Sequence, residues 1–351
     1  MARYREAAKK AETLSLEEAV KKYMRNGISI AIGGFTSMNR VPTAWFWETI
    51  RQGFTDLHVI DRHASNATFL LNAAKRIKIY ETDWAGWGEM AGKLDANFER
   101  RYKEGHIFYE DHTHATMAFR FLAGALGIPF IPAYSGTGSD QLNLAYDRLA
   151  KEGLRDGKNP RIPLKKFVQM KDPFFGDGTV NLYPAARPEL GIVHVSRAGP
   201  KGTAGWRGIG TVDKEMAFAC DKFIVTCEEI VPEEELRRIP ELNQIPYFTV
   251  DAIVEVPYGA HPSGVPFYYD YDMPFMMAAQ AASRTEETMK AWMDEWVFGP
   301  ANWNEYILKL GAQKLLDLKA DELTGYSTRI RRGKKPAPKM FEPLSVARFG
   351  Y

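Results

Sequence analysis

The chain has 351 residues, of which 45% are hydrophobic and 26% are charged, and such a composition is typical of a globular protein with a large core. A net charge of +2 gives no basis for a nucleic-acid-binding surface, and no apolar run approaches the roughly 20 residues of a membrane span. The charged N-terminus has no apolar signal segment, so we expect a cytoplasmic protein with neither a nucleic-acid nor a membrane partner.

Short apolar segments alternate with amphipathic ones through the first part of the chain. Ser15 and Glu18 form the capping-box pattern that opens a helix. The run ISIAIGG predicts a buried strand, and the strands TDLHVIDR, KRIKIYE, HIFYED and IPFIPA follow it. Helices are predicted within 42–52, around 93–104 and over THATMAFRFLAGALG. This alternation predicts an α/β fold, with an open, mostly parallel sheet and helices on both of its faces.

The alternation lapses from 135 to about 188, where Gly, Pro, Asp and Asn predict a loop-rich excursion over the surface. It resumes with the strands LGIVHVSRAG, KFIVTCEEIV and AIVEVPYGAHP and the helices VDKEMAFACD and PEEELRRIP between them. The rest of the chain is predicted to be mostly helical. We therefore predict one α/β domain over 1–325 and a basic C-terminal tail over 326–351.

Most standard catalytic motifs are missing from the sequence. There is no phosphate-binding P-loop, no G-x-G-x-x-G after the first strand, no H-E-x-x-H and no G-x-S-x-G. His112 and His114 are close together, but no third metal ligand is near them in the sequence, so no metal site is predicted. Cys220 and Cys227 lie among apolar residues, which predicts buried, reduced thiols.

Three predicted strands end in glycine-bearing loops, over 33–35, 135–138 and 259–263. The carboxyl ends of strands in a parallel sheet line the crevice where ligands bind. We therefore expect the three loops to gather at one edge of the sheet and to offer backbone N–H donors. The alternative is that their glycines serve only to make turns.

Several segments, in the same order, resemble the alpha (A-type) chain of glutaconate CoA-transferase, a family I coenzyme A transferase. They are IAIGGFTSMNRVP, RQGFTDL, LGIPFIP, FIVTCEEI, VDAIVEVPYGAHPS and YYDYDMPF, followed by EWVFGPANWNEYILKLGAQKLLDL, which resembles the closing helices. The resemblance runs from about residue 14 to about residue 320. It implies the fold of that family and a transfer of CoA between an acyl-CoA and a carboxylic acid, with dicarboxylic acids included.

In such enzymes a glutamate carboxylate attacks the acyl-CoA thioester, and N–H donors stabilise the oxyanions that form. The resemblance places this glutamate on a B-type subunit, so Glu110, Glu228 and Glu229 are not expected to be nucleophiles. It implies a heterotetramer or larger assembly with that B-type subunit. Coenzyme A enters as part of the acyl-CoA substrate, and no metal is expected.

The predicted catalytic residues are Gly33, Gly34 and Phe35, as oxyanion donors, together with His114. The predicted substrate-binding residues are the cation Arg40, the hydroxyl donors Ser37, Ser65 and Ser263, and also Gly136, Gly138 and His261.

The residue at 114 leaves two alternatives open. The resemblance places a glutamine there in the transferases and a catalytic glutamate in related ring-opening hydrolases of steroid breakdown. Histidine can donate a hydrogen bond or act as a general base. The first alternative is therefore a ring-opening or C–C-cleaving acyl-CoA hydrolase or lyase that uses His114, and the second is a non-catalytic scaffold subunit.

Overall fold

The computed structural model describes residues 11–63, 65–86, 94–176 and 178–330. The strands in these residues are β1 (Glu12–Thr13), β2 (Ser29–Ile32), β3 (Leu57–Ile60), β4 (Ile77–Thr82), β5 (Phe108–Asp111), β6 (Phe130–Ala133), β7 (Val168–Lys171), β8 (Thr179–Pro184), β9 (Leu190–Ala198), β10 (Ala204–Gly205), β11 (Lys222–Ile230) and β12 (Ala252–Glu255). The α-helices are α1 (Leu16–Tyr23), α2 (Thr43–Arg51), α3 (Asn66–Ala73), α4 (Ala96–Lys103), α5 (His114–Leu126), α6 (Arg148–Lys151), α7 (Asp213–Ala219), α8 (Glu233–Arg238), α9 (Met273–Ala282), α10 (Glu286–Met293), α11 (Trp303–Leu310) and α12 (Ala312–Leu318).

Nine strands form the main sheet, in the order β1-β12-β11-β9-β2-β3-β4-β5, with β10 added beside β9. All of its pairs are parallel except the pair of β9 and β10. The prediction of an open, mostly parallel sheet is therefore confirmed. Because β2, β3, β4 and β5 are consecutive and parallel, their carboxyl ends lie side by side at one edge.

Apolar cores cover both faces of this sheet, as predicted. Along β2, Ile30 and Ile32 belong to one core with the helix residue Trp45, whereas Ala31 belongs to the other core with Phe121 of α5. This alternation follows from the two-residue period of a strand. A strand that is buried on both faces must be apolar throughout, which explains the continuous run in ISIAIGG.

The segment IPFIPA departs from the predicted arrangement. It forms β6, but β6 pairs antiparallel with β8 in a separate sheet of order β6-β8-β7. Two strands of the predicted excursion near 135–188 therefore complete this small sheet. Pro132 and the partly exposed side chains of β6 suit a strand at an edge, because a central parallel strand would be buried on both faces.

The C-terminal segment is helical, as predicted, and packs on α2. The indole of Trp47 contacts the rings of Trp303 and Tyr306 and donates a hydrogen bond to the Trp296 carbonyl at 2.9 Å. Most of the predicted basic tail, residues 331–351, lies outside the described residues. Within the described ranges, no helix is both long enough and apolar enough to cross a membrane.

Candidate active site

Four loops meet at the carboxyl edge of β2, β3, β4 and β5. They begin at Gly33, Asp61, Asp83 and His112, each directly after the end of its strand. The loop after β12 also reaches this edge, although β11 and β9 separate β12 from β2 in the strand order. It pairs with the loop after β2, since Gly264 N donates to Met38 O at 2.8 Å and Arg40 N donates to Gly264 O at 2.9 Å. Two of the three predicted glycine loops are therefore in direct contact.

The backbone N–H groups of residues 33–35 donate hydrogen bonds within the protein and thereby fix the loop after β2. Gly33 N donates to Ile192 O, Gly34 N to Asp213 Oδ1 and Phe35 N to Asn39 O, each at 2.8 Å. A Cβ on Gly33 would lie 2.5 Å from Val193 Cγ1, and Gly34 has φ 99°. The two glycines are thus explained by close packing and by a left-handed backbone. As oxyanion donors, the three N–H groups would first have to give up internal partners.

Arg40 was predicted to bind a substrate carboxylate, and in the structure its charge is already paired inside the protein. The side chain is completely buried over the Trp206 ring, with 4.1 Å from Cζ to the ring centroid. Its guanidinium donates to Ile209 O at 2.8 Å and to Asp213 Oδ2 at 3.3 Å. Burial alone would raise the pKa of the Asp213 carboxyl, but Arg40 and the N–H donors around it hold the pKa below its usual value.

Three further predicted substrate-binding residues are also buried. Ser263 Oγ donates to Ser37 O at 2.9 Å, which joins the loops after β12 and β2. The ring of His261 lies 2.6 Å from the Tyr306 hydroxyl and 3.3 Å from Asp272 Oδ2, and burial lowers the pKa of His261. These residues stabilise the loops from within, and their contact with substrate stays a prediction. Ser65 is buried too, at the start of α3.

The sequence interpretation predicted His114 but missed the polar residues around it, which are Arg62, His63 and Asp83. His114 begins α5, and its half-exposed ring stacks on His63 with 4.8 Å between centroids. Asp83 contacts His114 Nδ1, and its other oxygen lies 3.3 Å from His63 Nδ1. Arg62 lies 3.3 Å from His114 Nδ1, with its Cζ 5.5 Å from the ring centroid of Phe35.

The loop with Gly136 and Gly138 follows a strand of the small sheet, so the prediction that it leaves a strand of the main sheet is wrong. It nevertheless lies close to His114. Ser135 Oγ is 3.0 Å from Oγ1 of Thr113, the residue that caps α5. Both glycines have φ 81°, and a Cβ on Gly136 would lie 2.8 Å from the Tyr183 hydroxyl. Whether these glycines bind substrate stays a prediction.

A set of buried charges lies beneath the cluster. Glu81 accepts from His58 Nε2 at 2.5 Å and pairs with Arg120 at 2.7 Å. Burial would raise the pKa of Glu81, but these two neighbours bring the pKa well below its usual range. Glu110 pairs with Arg155 and lies 2.9 Å from His112 Nε2. This engagement agrees with the expectation that Glu110 is not the nucleophile.

Gly34→Ala is expected to lower the free energy of unfolding by more than Gly138→Ala. Both positions need a left-handed backbone, at a cost of about 1–2 kcal/mol for alanine. Only at Gly34 would the new Cβ also lie within 2.7–2.8 Å of the carbonyls of Asn39 and Arg40; at Gly138 it meets nothing within 4 Å. Denaturant unfolding of the two variants tests this, and equal losses would contradict it.

Arg40→Met is expected to destabilise the fold by about 3–5 kcal/mol because it leaves the Asp213 charge buried without its partner. Asp213→Asn is expected to cost a similar amount, and the double variant less than the sum. Since the pKa of Asp213 is lowered, the stabilisation is present at neutral pH and is lost as pH falls through that lowered value. A raised KM with unchanged stability in Arg40→Met would instead support substrate binding.

Comparisons with known proteins agree with this architecture. A family model described as coenzyme A transferase matches residues 13–256. The A-type chain of glutaconate CoA-transferase from Acidaminococcus fermentans is 34% identical over 93% of this chain and 100% of its own length. The A-type chain of 3-oxoadipate CoA-transferase from Pseudomonas knackmussii is 32% identical over 87% of this chain and 100% of its own.

More distant similarity extends to another activity. A cholesterol ring-cleaving hydrolase subunit of Rhodococcus jostii is 26% identical over 83% of this chain and 94% of its own length. The crystal structure of glutaconate coenzyme A-transferase from Acidaminococcus fermentans superposes with a TM-score of 0.82, at 34% identity, over 90% of this chain and 98% of that one. The predicted resemblance is confirmed, and the chain belongs to the coenzyme A transferase family, whose members act on CoA substrates.

Proposed function

We propose that the chain is the A-type subunit of a heteromeric CoA-transferase, which moves CoA between an acyl-CoA and a carboxylic acid. A B-type subunit supplies the nucleophilic glutamate, in a heterotetramer or larger assembly. The observation that carries this proposal is that the described edge offers the donors Arg62 and His114, of which His114 is 56% exposed, while its carboxylates are engaged or buried.

The carboxylates at this edge are poor nucleophiles for different reasons. Burial raises the pKa of Asp61 to about 8, which keeps this carboxyl largely protonated near neutral pH. Asp83 is held between His63 and His114, and Asp111 accepts from the Tyr109 hydroxyl at 3.2 Å. A glutamate from a partner chain would complete the site without displacing any of these contacts.

The proposed reaction begins when the partner's carboxylate attacks the thioester carbonyl carbon. The tetrahedral oxyanion expels the CoA thiolate and leaves an acyl–glutamyl anhydride. The thiolate then attacks the glutamyl carbonyl, which releases the first carboxylic acid as its carboxylate and leaves a glutamyl-CoA thioester. An acceptor carboxylate reverses these steps. His114 donates a hydrogen bond to the oxyanion or to the partner's carboxylate, and Arg62 pairs with a substrate carboxylate.

The purified chain alone is expected to show no CoA transfer, because the nucleophile is absent. Co-expression with a B-type chain of the same family should restore transfer from an acyl-CoA to acetate or a dicarboxylate. Replacement of the partner's predicted nucleophilic glutamate by glutamine should abolish this activity again. Robust turnover by the isolated chain would contradict the proposal, and an inactive but stable complex would favour the scaffold alternative.

Arg62→Met is expected to raise KM for a dicarboxylate acceptor more than for acetate, because the lost cation pairs with the distal carboxylate. Arg148→Met provides a matched control, since Arg148 forms its ion pair with Glu152 and its Cζ lies 6.0 Å from the ring of Phe108, at the opposite end of β5 from His112. Steady-state kinetics with both acceptors provide the measurement. Equal changes for the two acceptors would show that Arg62 does not recognise the distal group.

The similarity to a ring-cleaving hydrolase subunit supports a second candidate, in which His114 moves a proton as a general base. His114→Gln separates the two candidates. Glutamine keeps a hydrogen-bond donor, so a transferase should lose little activity, whereas a hydrolase should lose about 10²–10⁴-fold. Both reactions are assayed in the complete complex.

His114→Glu is the companion variant. In a transferase the new carboxylate would stand beside the partner's glutamate and disfavour its charged form, so activity should fall. In a hydrolase it would supply a base, so activity should partly return. The half-exposed position of His114 makes both variants compatible with folding. Collapse of His114→Gln together with rescue by His114→Glu would replace the transferase assignment by the hydrolase.

A further inference from the structure

We propose that His63, Asp83 and His114 form a binding site for a divalent first-row transition metal ion. This inference goes beyond the transfer reaction, since neither the nucleophile nor the acyl group enters it. One potential ligand atom from each of the three residues lies within 4.8 Å of the other two. The three residues come from the loops after β3, β4 and β5, so adjacent parallel strands fix their separation.

The potential ligand atoms of this cluster already lie beside one another. A guanidinium nitrogen of Arg62 lies 3.3 Å from His114 Nδ1. Asp83 Oδ2 contacts the same nitrogen, and Asp83 Oδ1 lies 3.3 Å from His63 Nδ1. A metal ion bound among these atoms would compete with Arg62 for His114 Nδ1.

A second acidic group lies beside the cluster. Asp61 is 3% exposed, and its Oδ1 accepts the backbone N–H of His63 at 3.4 Å. Its Oδ2 is buried and has no hydrogen-bond partner among the described residues. Since burial keeps this carboxyl largely protonated near neutral pH, Asp61 is not one of the proposed ligands.

The neighbouring buried cluster of Glu81, Glu110 and His112 differs from the proposed metal site because its carboxylates are already paired with arginines. Its ligand atoms also lie close together, but Arg120 pairs with Glu81 and Arg155 pairs with Glu110. The positive charges are already built in, so a metal ion is not needed there. The cluster around His114, in contrast, is open to solvent on one side, because His114 is 56% exposed.

The ligand types define the class of ion. Two imidazole nitrogens and a carboxylate oxygen suit Zn²⁺, Fe²⁺, Co²⁺ or Mn²⁺, whereas Mg²⁺ and Ca²⁺ prefer oxygen alone. Three protein ligands leave at least one coordination position for water or for an anionic group of a substrate. The ion would therefore add a Lewis acid to the face on which Arg62 lies.

The test uses the full-length chain, alone and with its partner, produced without a histidine tag and stripped of metal with a chelator. Co²⁺ is added while the visible absorption is recorded, and bound metal is then counted by elemental analysis. About one equivalent is expected, with the absorption bands of nitrogen- and oxygen-ligated Co²⁺, and Zn²⁺ should displace it. Failure to bind, or displacement by Mg²⁺ at similar concentrations, would overturn the proposal.

Four variants assign the ligands. His63→Ala, Asp83→Asn and His114→Ala should each weaken Co²⁺ binding by about tenfold or more, as the loss of one ligand predicts. His106→Ala is the matched control, since this exposed histidine also lies 3.2 Å from a carboxylate, that of Glu104, but belongs to no group of three potential ligands among the described residues. Unchanged affinity in the three cluster variants would overturn the assignment. Circular dichroism confirms folding, and Asp83→Asn, which keeps the side-chain shape, remains decisive if His63→Ala does not fold.

Arg62→Gln provides a test in the opposite direction. Removal of the competing guanidinium should tighten Co²⁺ binding, an effect that a nonspecific surface site would not show. Failure of this variant to bind more tightly would count against the proposed position of the ion. Because all readouts are metal binding, transfer by a metal-free complex would leave the proposed function intact while these measurements decide the metal site.

Discussion

The buried carboxylate of Asp213 fixes the loop on which the edge of the sheet depends. It accepts hydrogen bonds from Gly34 N at 2.8 Å and Thr211 N at 3.1 Å, and it pairs with Arg40, so segments far apart in sequence share one anion. Arg40 in turn donates to the carbonyls of His194 and Ile209. An unpaired charge at this depth would be unstable, so the loop after β2 has one favourable arrangement. The glycines at its start are required because the groups around this anion leave no room for side chains.

A second set of buried charges lies in β4 and β5, beneath the other half of the same edge. Glu81 and Glu110 are held by Arg120 and Arg155, and burial together with Arg120 lowers the pKa of His112. The fixed charges below balance one another within the sheet, whereas the cluster of Arg62, His63, Asp83 and His114 reaches the opening through His114, which is 56% exposed. The edge therefore combines a rigid, neutralised base with a polar surface that can respond to a ligand or a partner chain.

The sequence predicted the elements far better than the side chains that converge on the edge. Local patterns were sufficient for the capping box at Ser15 and for the apolar run of β2, because each depends on neighbours in the chain. The burial of Arg40 depends on a partner 173 residues away, which no local pattern reveals. The cluster around His114 depends on the order of β3, β4 and β5, although charged residues directly after TDLHVI and KRIKIYET gave a signal that could have been used. Pro132 likewise marked β6 as unsuited to the central sheet.

The two cysteines have a practical consequence for studying how the subunits meet. Cys220 and Cys227 are both buried, and burial, with nearby carboxylates, raises the pKa of Cys227 well above its usual value. Thiolate is the form that reacts with maleimide dyes, so the native chain offers such reagents little to modify. A single cysteine introduced at Phe174, which is 85% exposed beside the small sheet, would carry one fluorophore at a known place. The natural chain is thus already a low-background scaffold for distance measurements by energy transfer.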